Sequence, residues 1–227
     1  MSVIKFENIA ACVFDAYGTL FDFNSAAEKY SSELEGKADS LNEIWRTKQL
    51  QYTWLHSLMG DYTDFWTLTG NALDFALDSL ELNDKSLKEK LMAAYYELEP
   101  YPEVISTLRE IKDSGIKTAI LSNGEPRMLR AAVDSAGLTD LIDETLSVDS
   151  VGIYKPHPNV YQYAVDVLSC PPEVISFQSS NSWDAVGAAN FGFKVVWCNR
   201  FNQPKERLPS KPDIEIKDLS KLLSIIK

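Results

Sequence analysis

The sequence predicts an α/β fold: a parallel sheet with helices on both faces, interrupted after its first strand by an all-helical insert. Three observations carry that reading. After residue 100, short apolar runs alternate with helical stretches, as in a sheet whose strands are joined by crossover helices. Between residue 24 and about residue 99 the alternation stops and helical spacing takes over. The apolar runs also end on residues able to do chemistry: Asp15, then Ser122-Asn123-Gly124, then Ser179-Ser180-Asn181. Ligands of parallel sheets sit beyond the C-terminal strand ends.

Taken in order, Ala11–Phe14 is the first strand, running straight into Asp15 within "ACVFDAYGTLFD". In the insert, Leu41, Ile44, Trp45, Tyr52, Leu55 and Met59 recur at helical spacing and predict an amphipathic helix. Gly60-Asp61 stops it, and Thr63-Asp64 caps the next helix. The aromatic residues Trp45, Tyr52, Trp54, Phe65 and Trp66 read first as core. Beyond the insert, strands are expected at 117–121, 174–177 and 194–197, and helices at 102–112, 126–136, 159–168 and 183–191. The expected division is a Rossmann-like core from 1–22 and 100–227, with a helical unit at 23–99.

Composition narrows the function. The chain has 227 residues, enough to bury a substantial core, and is 45% hydrophobic and 24% charged. A formal net charge of −11 argues against nucleic-acid or anionic-membrane partners, which want a basic face. It leaves a small anionic substrate open, because a local pocket can be positive. No apolar run is long enough to span a bilayer, and Met1 to Lys5 opens no signal-peptide apolar region. Cys12, Cys170 and Cys198 show no C-x-x-C spacing, so a reduced, cytoplasmic protein is expected. His56 and His157 form no metal-binding pair, and His157 in "KPHP" reads as a turn.

Each strand-end residue has a chemical reading and a plain structural one. Asp15 is either a nucleophile or a carboxylate capping its turn. The N–H groups of Ala16 and Tyr17 suit an anion, and Thr19 can orient the Asp15 carboxylate or merely support the turn. Ser122 is an anion ligand or a turn serine. Lys155, extended before Pro156, balances Asp15 or lies solvated. Asp184 orients Lys155, accepts a proton from water, or complements a helix dipole. Asn181 can hold a water without adding charge. Arg46, within the helical insert, is either a surface ion-pair partner or a cation lowered onto the pocket.

Together, in this order, these residues resemble the haloacid dehalogenase superfamily: D-x-x-x-T, a strand-end serine, a lysine, then an acidic strand-end loop. The resemblance covers nearly the whole chain and identifies 23–99 as that superfamily's helical cap. Most members are Mg²⁺-dependent phosphatases with D-x-D in the first motif. Here Tyr17 stands in place of the second acid, and Asn181 in place of a metal-binding acid. A phenol is a poor general acid for an alkoxide leaving group, whereas a halide leaves without a proton. The segments "DAYGTLFD", "WRTKQLQYTWLHSLMGDYTDFW", "LSNG", "YKPHPNVY" and "SSNSWDAVGAANFGF" are similar to the L-2-haloacid dehalogenase branch.

That resemblance implies hydrolysis of short (S)-2-haloacids to (R)-2-hydroxy acids through an aspartyl ester on Asp15, with no metal and no cofactor. It implies that Ser122, with the Ala16 and Tyr17 amides, binds the substrate carboxylate. Arg46 and Asn123 would receive the halide. Lys155 would counter the charge near Asp15, Tyr161 would be a tyrosine of the same site, and Ser179, Asn181 and Asp184 with Thr19 would place and activate water. Leu50, Phe65 and Trp183 would wall the pocket. A homodimer is expected from the same resemblance. The alternatives are a Mg²⁺-dependent phosphatase and a non-catalytic relative that binds a small acid.

Overall fold

In the computed structural model, which describes residues 5–82 and 84–227, the chain opens with the buried strand β1 (Ala11–Phe14). Four helices follow: α1 (Ser25–Glu28), α2 (Ala38–Met59), α3 (Phe65–Ser79) and α4 (Lys85–Ala94). Then come α5 (Val104–Asp113), β2 (Lys117–Ser122), α6 (Pro126–Ser135), β3 (Glu144–Ser147) and α7 (Pro158–Leu168). The chain ends with β4 (Ile175–Ser179), α8 (Ser182–Phe191), β5 (Lys194–Cys198), β6 (Ile214–Ile216) and α9 (Leu222–Ile226). Among the described residues, no helix is long and apolar enough to cross a membrane.

The strands form one sheet in the order β3-β2-β1-β4-β5-β6, with every neighbouring pair parallel. This is the expected α/β core. The chain winds outward from β1 to β3, then crosses back to lay β4 on the other side of β1. The winding therefore reverses between β1 and β4, where a crevice opens at the strand ends. Phe14 pairs with Gln178 there, so Asp15 comes to lie beside Ser179.

Two edge strands escaped the sequence reading. β3 (ETLS) and β6 (IEI) are short and only partly buried, so neither carries the continuous apolar run that marks β1, β4 and β5. The helical segment follows its sequence cues more closely. Gly60 ends α2 in a left-handed conformation (φ 68°), and the Asp64 side chain accepts from the Thr67 N–H at 2.8 Å to cap α3. Leu41 and Trp45 are buried as expected. Leu55 and Met59 are not: they are 50% and 66% exposed, because the buried stripe of α2 runs through Leu41, Trp45, Gln49 and Thr53 towards Ser57, whose hydroxyl meets the Tyr154 amide, and leaves them to one side. His157 is a turn residue as read, its ring accepting from the Asn159 N–H at the start of α7.

Candidate active site

Asp15 sits one residue past β1, its amide tied to the Gln178 carbonyl of β4 at 2.9 Å. The chain then turns sharply. The Ala16 carbonyl accepts from the N–H groups of Thr19, Leu20 and Phe21, and Gly18 takes a φ of +84°. A side chain there would be strained, and its Cβ would lie 3.1 Å from Phe23 and Ser180. The turn throws Thr19 back onto Asp15.

The two Asp15 oxygens are treated differently. Oδ2 accepts from Asn181 Nδ2 at 2.7 Å, Thr19 Oγ1 at 3.2 Å and Ser179 Oγ at 3.3 Å. Among the described residues Oδ1 accepts from Lys155 Nζ alone, at 3.2 Å. Oδ2 is crowded with donors, while Oδ1 keeps a lone pair to offer.

Lys155 is 1% exposed and pairs with Asp184 at 2.8 Å as well as with Asp15. Burial alone would favour the neutral amine, but the two carboxylates outweigh it and hold the lysine pKa above its ordinary value. Asp184 is fully buried, and its carboxyl is raised to about 6. Burial is the main cause, Lys155 opposes it, and the nearby Asp15 charge adds to it. Tyr161 donates to Asp184 Oδ1 at 2.8 Å. Burial, then Asp184, keeps that phenol protonated. Gly187 on α8 makes room for it: a Cβ at that position would stand 2.5 Å from the Tyr161 hydroxyl.

Arg46 reaches this group from α2. Its Nη2 donates to Asn181 Oδ1 at 3.1 Å, and its guanidinium lies over the Phe23 ring at 5.0 Å. Asn181 therefore joins the cation to the carboxylate. Leu50 and Trp183, with Arg46 and Asn181, line an open cleft of about 590 Å³. Phe65 stacks on Tyr17 at 5.8 Å between ring centres. The Tyr17 hydroxyl is buried with no hydrogen-bond partner among the described residues. Its pKa is pushed well above the ordinary phenol value, chiefly by burial and then by Tyr95, Glu125 and Asp15.

Ser122 and Asn123 close the site on the β2 side. Asn123 Oδ1 accepts from the Lys155 amide at 3.1 Å and so fixes the lysine backbone. Ser122 Oγ accepts from the Gly124 N–H at 3.1 Å and makes no bond to the Asp15 cluster among the described residues. Two further side chains support the site: Gln49, which the sequence does not single out, and Ser180, which it places at a strand end without a role. Gln49 is fully buried, takes Arg46 Nη1 on its Oε1 at 2.8 Å, and donates to Thr69 at 2.7 Å. Ser180 gives its amide to Thr19 Oγ1 at 2.8 Å and its hydroxyl to the Gly18 carbonyl at 2.6 Å.

A divalent cation does not fit this donor set. Asn181 presents its amide nitrogen, not an oxygen, to Asp15, and its oxygen already holds a guanidinium. A hard cation wants several oxygen ligands and no cation beside them.

Comparisons with known proteins identify the family. The family model for haloacid dehalogenase-like hydrolases matches residues 9–192. The (S)-2-haloacid dehalogenase 1 of Pseudomonas sp. strain CBS-3 is 47% identical over 221 residues, which is 97% of both chains. A crystal structure of a dehalogenase with an intermediate complex superposes with a TM-score of 0.95 at 43% identity, covering 97% of this chain and 98% of that one. The L-2-haloacid dehalogenase of Xanthobacter autotrophicus, solved with chloropropionic acid covalently bound, gives 0.88 at 39% identity, covering 94% and 96%. A buried Asp-Lys-Asp cluster at the switch point of the sheet and a match over most of its length thus lead to one conclusion: the chain belongs to the haloacid dehalogenase-like hydrolases, alongside the (S)-2-haloacid dehalogenases.

Proposed function

We propose that this chain hydrolyses short-chain (S)-2-haloacids to (R)-2-hydroxy acids and halide, through an ester on Asp15. The observation that carries the reading is Tyr17. Its buried phenol holds its proton far more tightly than an ordinary tyrosine, so it cannot serve as the acid that an alkoxide leaving group needs. A halide leaves as a stable anion and needs none.

In the first step Asp15 Oδ1 attacks C2 from the side opposite the halogen. A carbon–oxygen bond forms, the carbon–halogen bond breaks with its electron pair on the halide, and C2 inverts. Arg46 and Asn123 receive the halide, so their positive ends meet charge that grows in the transition state. Ser122 and the Ala16 and Tyr17 amides hold the substrate carboxylate, against walls made by Leu50, Phe65 and Trp183.

In the second step water adds to the Asp15 carboxyl carbon, and the ester carbonyl oxygen becomes an oxyanion. The three donors on Oδ2, from Asn181, Thr19 and Ser179, suit that charge. Esterification has meanwhile neutralised Asp15 and removed one of the influences that raise Asp184, leaving Asp184 more fully ionised. Among the described residues each of its oxygens holds one side-chain donor, from Lys155 or Tyr161, and keeps a lone pair for the water proton. Collapse of the intermediate breaks the bond between the Asp15 carboxyl carbon and the ester oxygen; the departing alkoxide takes the proton that Asp184 accepted from water, which frees the hydroxy acid and restores both carboxylates.

The same proposal divides the chain into a core of 1–22 and 100–227 and a cap of 23–99 that brings Arg46, Leu50 and Phe65 over Asp15. A homodimer in a reducing cytoplasm completes it. The apolar residues exposed near the end of α2 (Leu55, Leu58, Met59) and three unpaired cysteines support that part.

Halide release from (S)- and (R)-2-chloropropionate, with and without EDTA, tests the reading. The (S) acid is turned over, the (R) acid is not, and EDTA changes nothing. Faster turnover of phosphate esters, abolished by EDTA, would replace the reading with a phosphatase.

A further inference from the structure

The chain leaves the core for the cap once and returns once, and the two crossings lie side by side. Asp22 donates its amide to the Glu99 carbonyl at 2.8 Å, Tyr101 donates to the Leu20 carbonyl at 3.0 Å, and Phe21 bridges to Pro100. Any movement of the cap relative to the core bends this pair of linkers.

One side chain holds both linkers, and the mechanism above has no use for it. Arg200 follows β5 on a loop fixed to the sheet edge: its amide bonds to the Cys198 carbonyl at 2.8 Å, and the Asn199 amide bonds to the Ile216 carbonyl at 2.7 Å. Its guanidinium, 9% exposed, donates through Nη2 to the Thr19 carbonyl at 2.9 Å, at the core end of the outgoing linker. At the core end of the returning linker it pairs with Glu103 at 2.5 Å and stacks on the Tyr101 ring, 3.9 Å from its centre. Glu103 in turn accepts from the Leu219 amide at 3.2 Å. A planar cation can press a face on a ring while its edge holds two oxygens; an ammonium cannot.

We infer that Arg200 is a positioning residue, a strap that fixes both cap linkers to the core and so keeps Arg46 over Asp15. It acts at two places. It anchors the carbonyl of Thr19, whose hydroxyl faces Asp15 Oδ2. It also stiffens the hinge on which the cap rides; the contacts by which the cap meets the core include Arg46 with Asn181, the edge-to-face pair Trp54 and Trp183, 5.4 Å between ring centres, Phe65 with Tyr17, and the Tyr154 amide donating to the Ser57 hydroxyl. When the strap is loosened, the cap spends time away from Asp15. The competent fraction falls, and kcat/KM falls in proportion. The effect on turnover rests on the haloacid reading of the site; the effect on the hinge does not.

The test uses the full chain carrying Arg200→Lys or Arg200→Met. Three measurements are made: kcat/KM on (S)-2-chloropropionate, hydrogen exchange of peptides covering 17–24 and 98–104, and thermal unfolding. Arg200→Met is expected to lose about tenfold or more in kcat/KM and to exchange faster in both hinge peptides, with Arg200→Lys recovering part of each. A variant that unfolds cooperatively yet keeps either the parental hinge exchange or the parental kcat/KM overturns the inference, whatever its melting temperature. If Arg200→Met does not fold, Arg200→Lys decides by the same two readouts. If the parent chain does not turn over the haloacid, the haloacid reading fails, and hinge exchange alone decides the strap.

Discussion

Asp184 and Lys155 set opposite demands on the same few cubic ångströms. Asp184 is held at about 6 in the folded chain, above the ordinary aspartate value of about 3.9. The folded state therefore binds this proton more tightly than the unfolded one, and the site loses stability as pH rises from about 4 to about 6. The proposed base needs the opposite, an ionised carboxylate. We expect kcat to fall on the acid side with a midpoint no higher than about 6, since the ester intermediate lacks the Asp15 charge. No alkaline limb should come from Lys155, Tyr17 or Tyr161, all held above their ordinary values. A pH profile of kcat checks this; an acid midpoint above about 7 would contradict it. The residues with charge or a strand-end position were legible because a carboxylate after a buried strand, or a lysine before a proline, has few places to go. Ser180 and Gln49 were harder to read, because their work is to hold other functional side chains.

At the scale of the element, α2 carries the most information. Its buried face is Leu41, Trp45, Gln49 and Thr53, a strict four-residue ladder. Gln49 stands in an apolar stripe at the right spacing, which is the signal that it is buried and must be hydrogen-bonded. It binds Arg46, Thr69 and Tyr95. Gln49→Leu fits the volume but removes the bonds of the Arg46 Nη1 and the Tyr95 hydroxyl to Gln49, while the Thr69 hydroxyl keeps its bond to the Phe65 carbonyl. The expected cost is about 1–3 kcal/mol in unfolding free energy, with a drop of about tenfold in kcat/KM as Arg46 loses its anchor. Urea denaturation and steady-state halide release measure the two; a fully active variant would free Arg46 from this dependence. The inner strands and the caps at Gly60 and Asp64 could be read from sequence, because burial and local chemistry mark them. The edge strands β3 and β6 could not, because an edge needs little apolar surface, and the exposure of Leu55 and Met59 could not, because the stripe that α2 buries is set by Gln49 and Thr53 as well as by apolar residues.

The whole molecule is acidic, and its cleft shares that character. Glu28, Asp39, Glu43 and Glu206 line the same opening as Arg46, on a chain of net charge −11. A haloacid anion must pass this rim to reach the cation. Salt screens such repulsion over a Debye length of about 10 Å at 0.1 M, so kcat/KM should rise about twofold or more between low and physiological ionic strength. A fall would mean that Arg46 and Lys155 govern the approach instead. What the sequence could not supply is the way the sheet reverses between β1 and β4 to set Asp15 between three donors on one oxygen and a lysine on the other. That asymmetry assigns Asp15 to attack carbon and water to attack Asp15. A single turnover in H₂¹⁸O, with enzyme in excess over (S)-2-chloropropionate, tests it most directly. The account predicts ¹⁸O in the carboxyl group of Asp15 and none in the first-turnover hydroxy acid. Label in that product with an unlabelled Asp15 would mean that water attacks the substrate itself, and the ester on Asp15 would have to be abandoned.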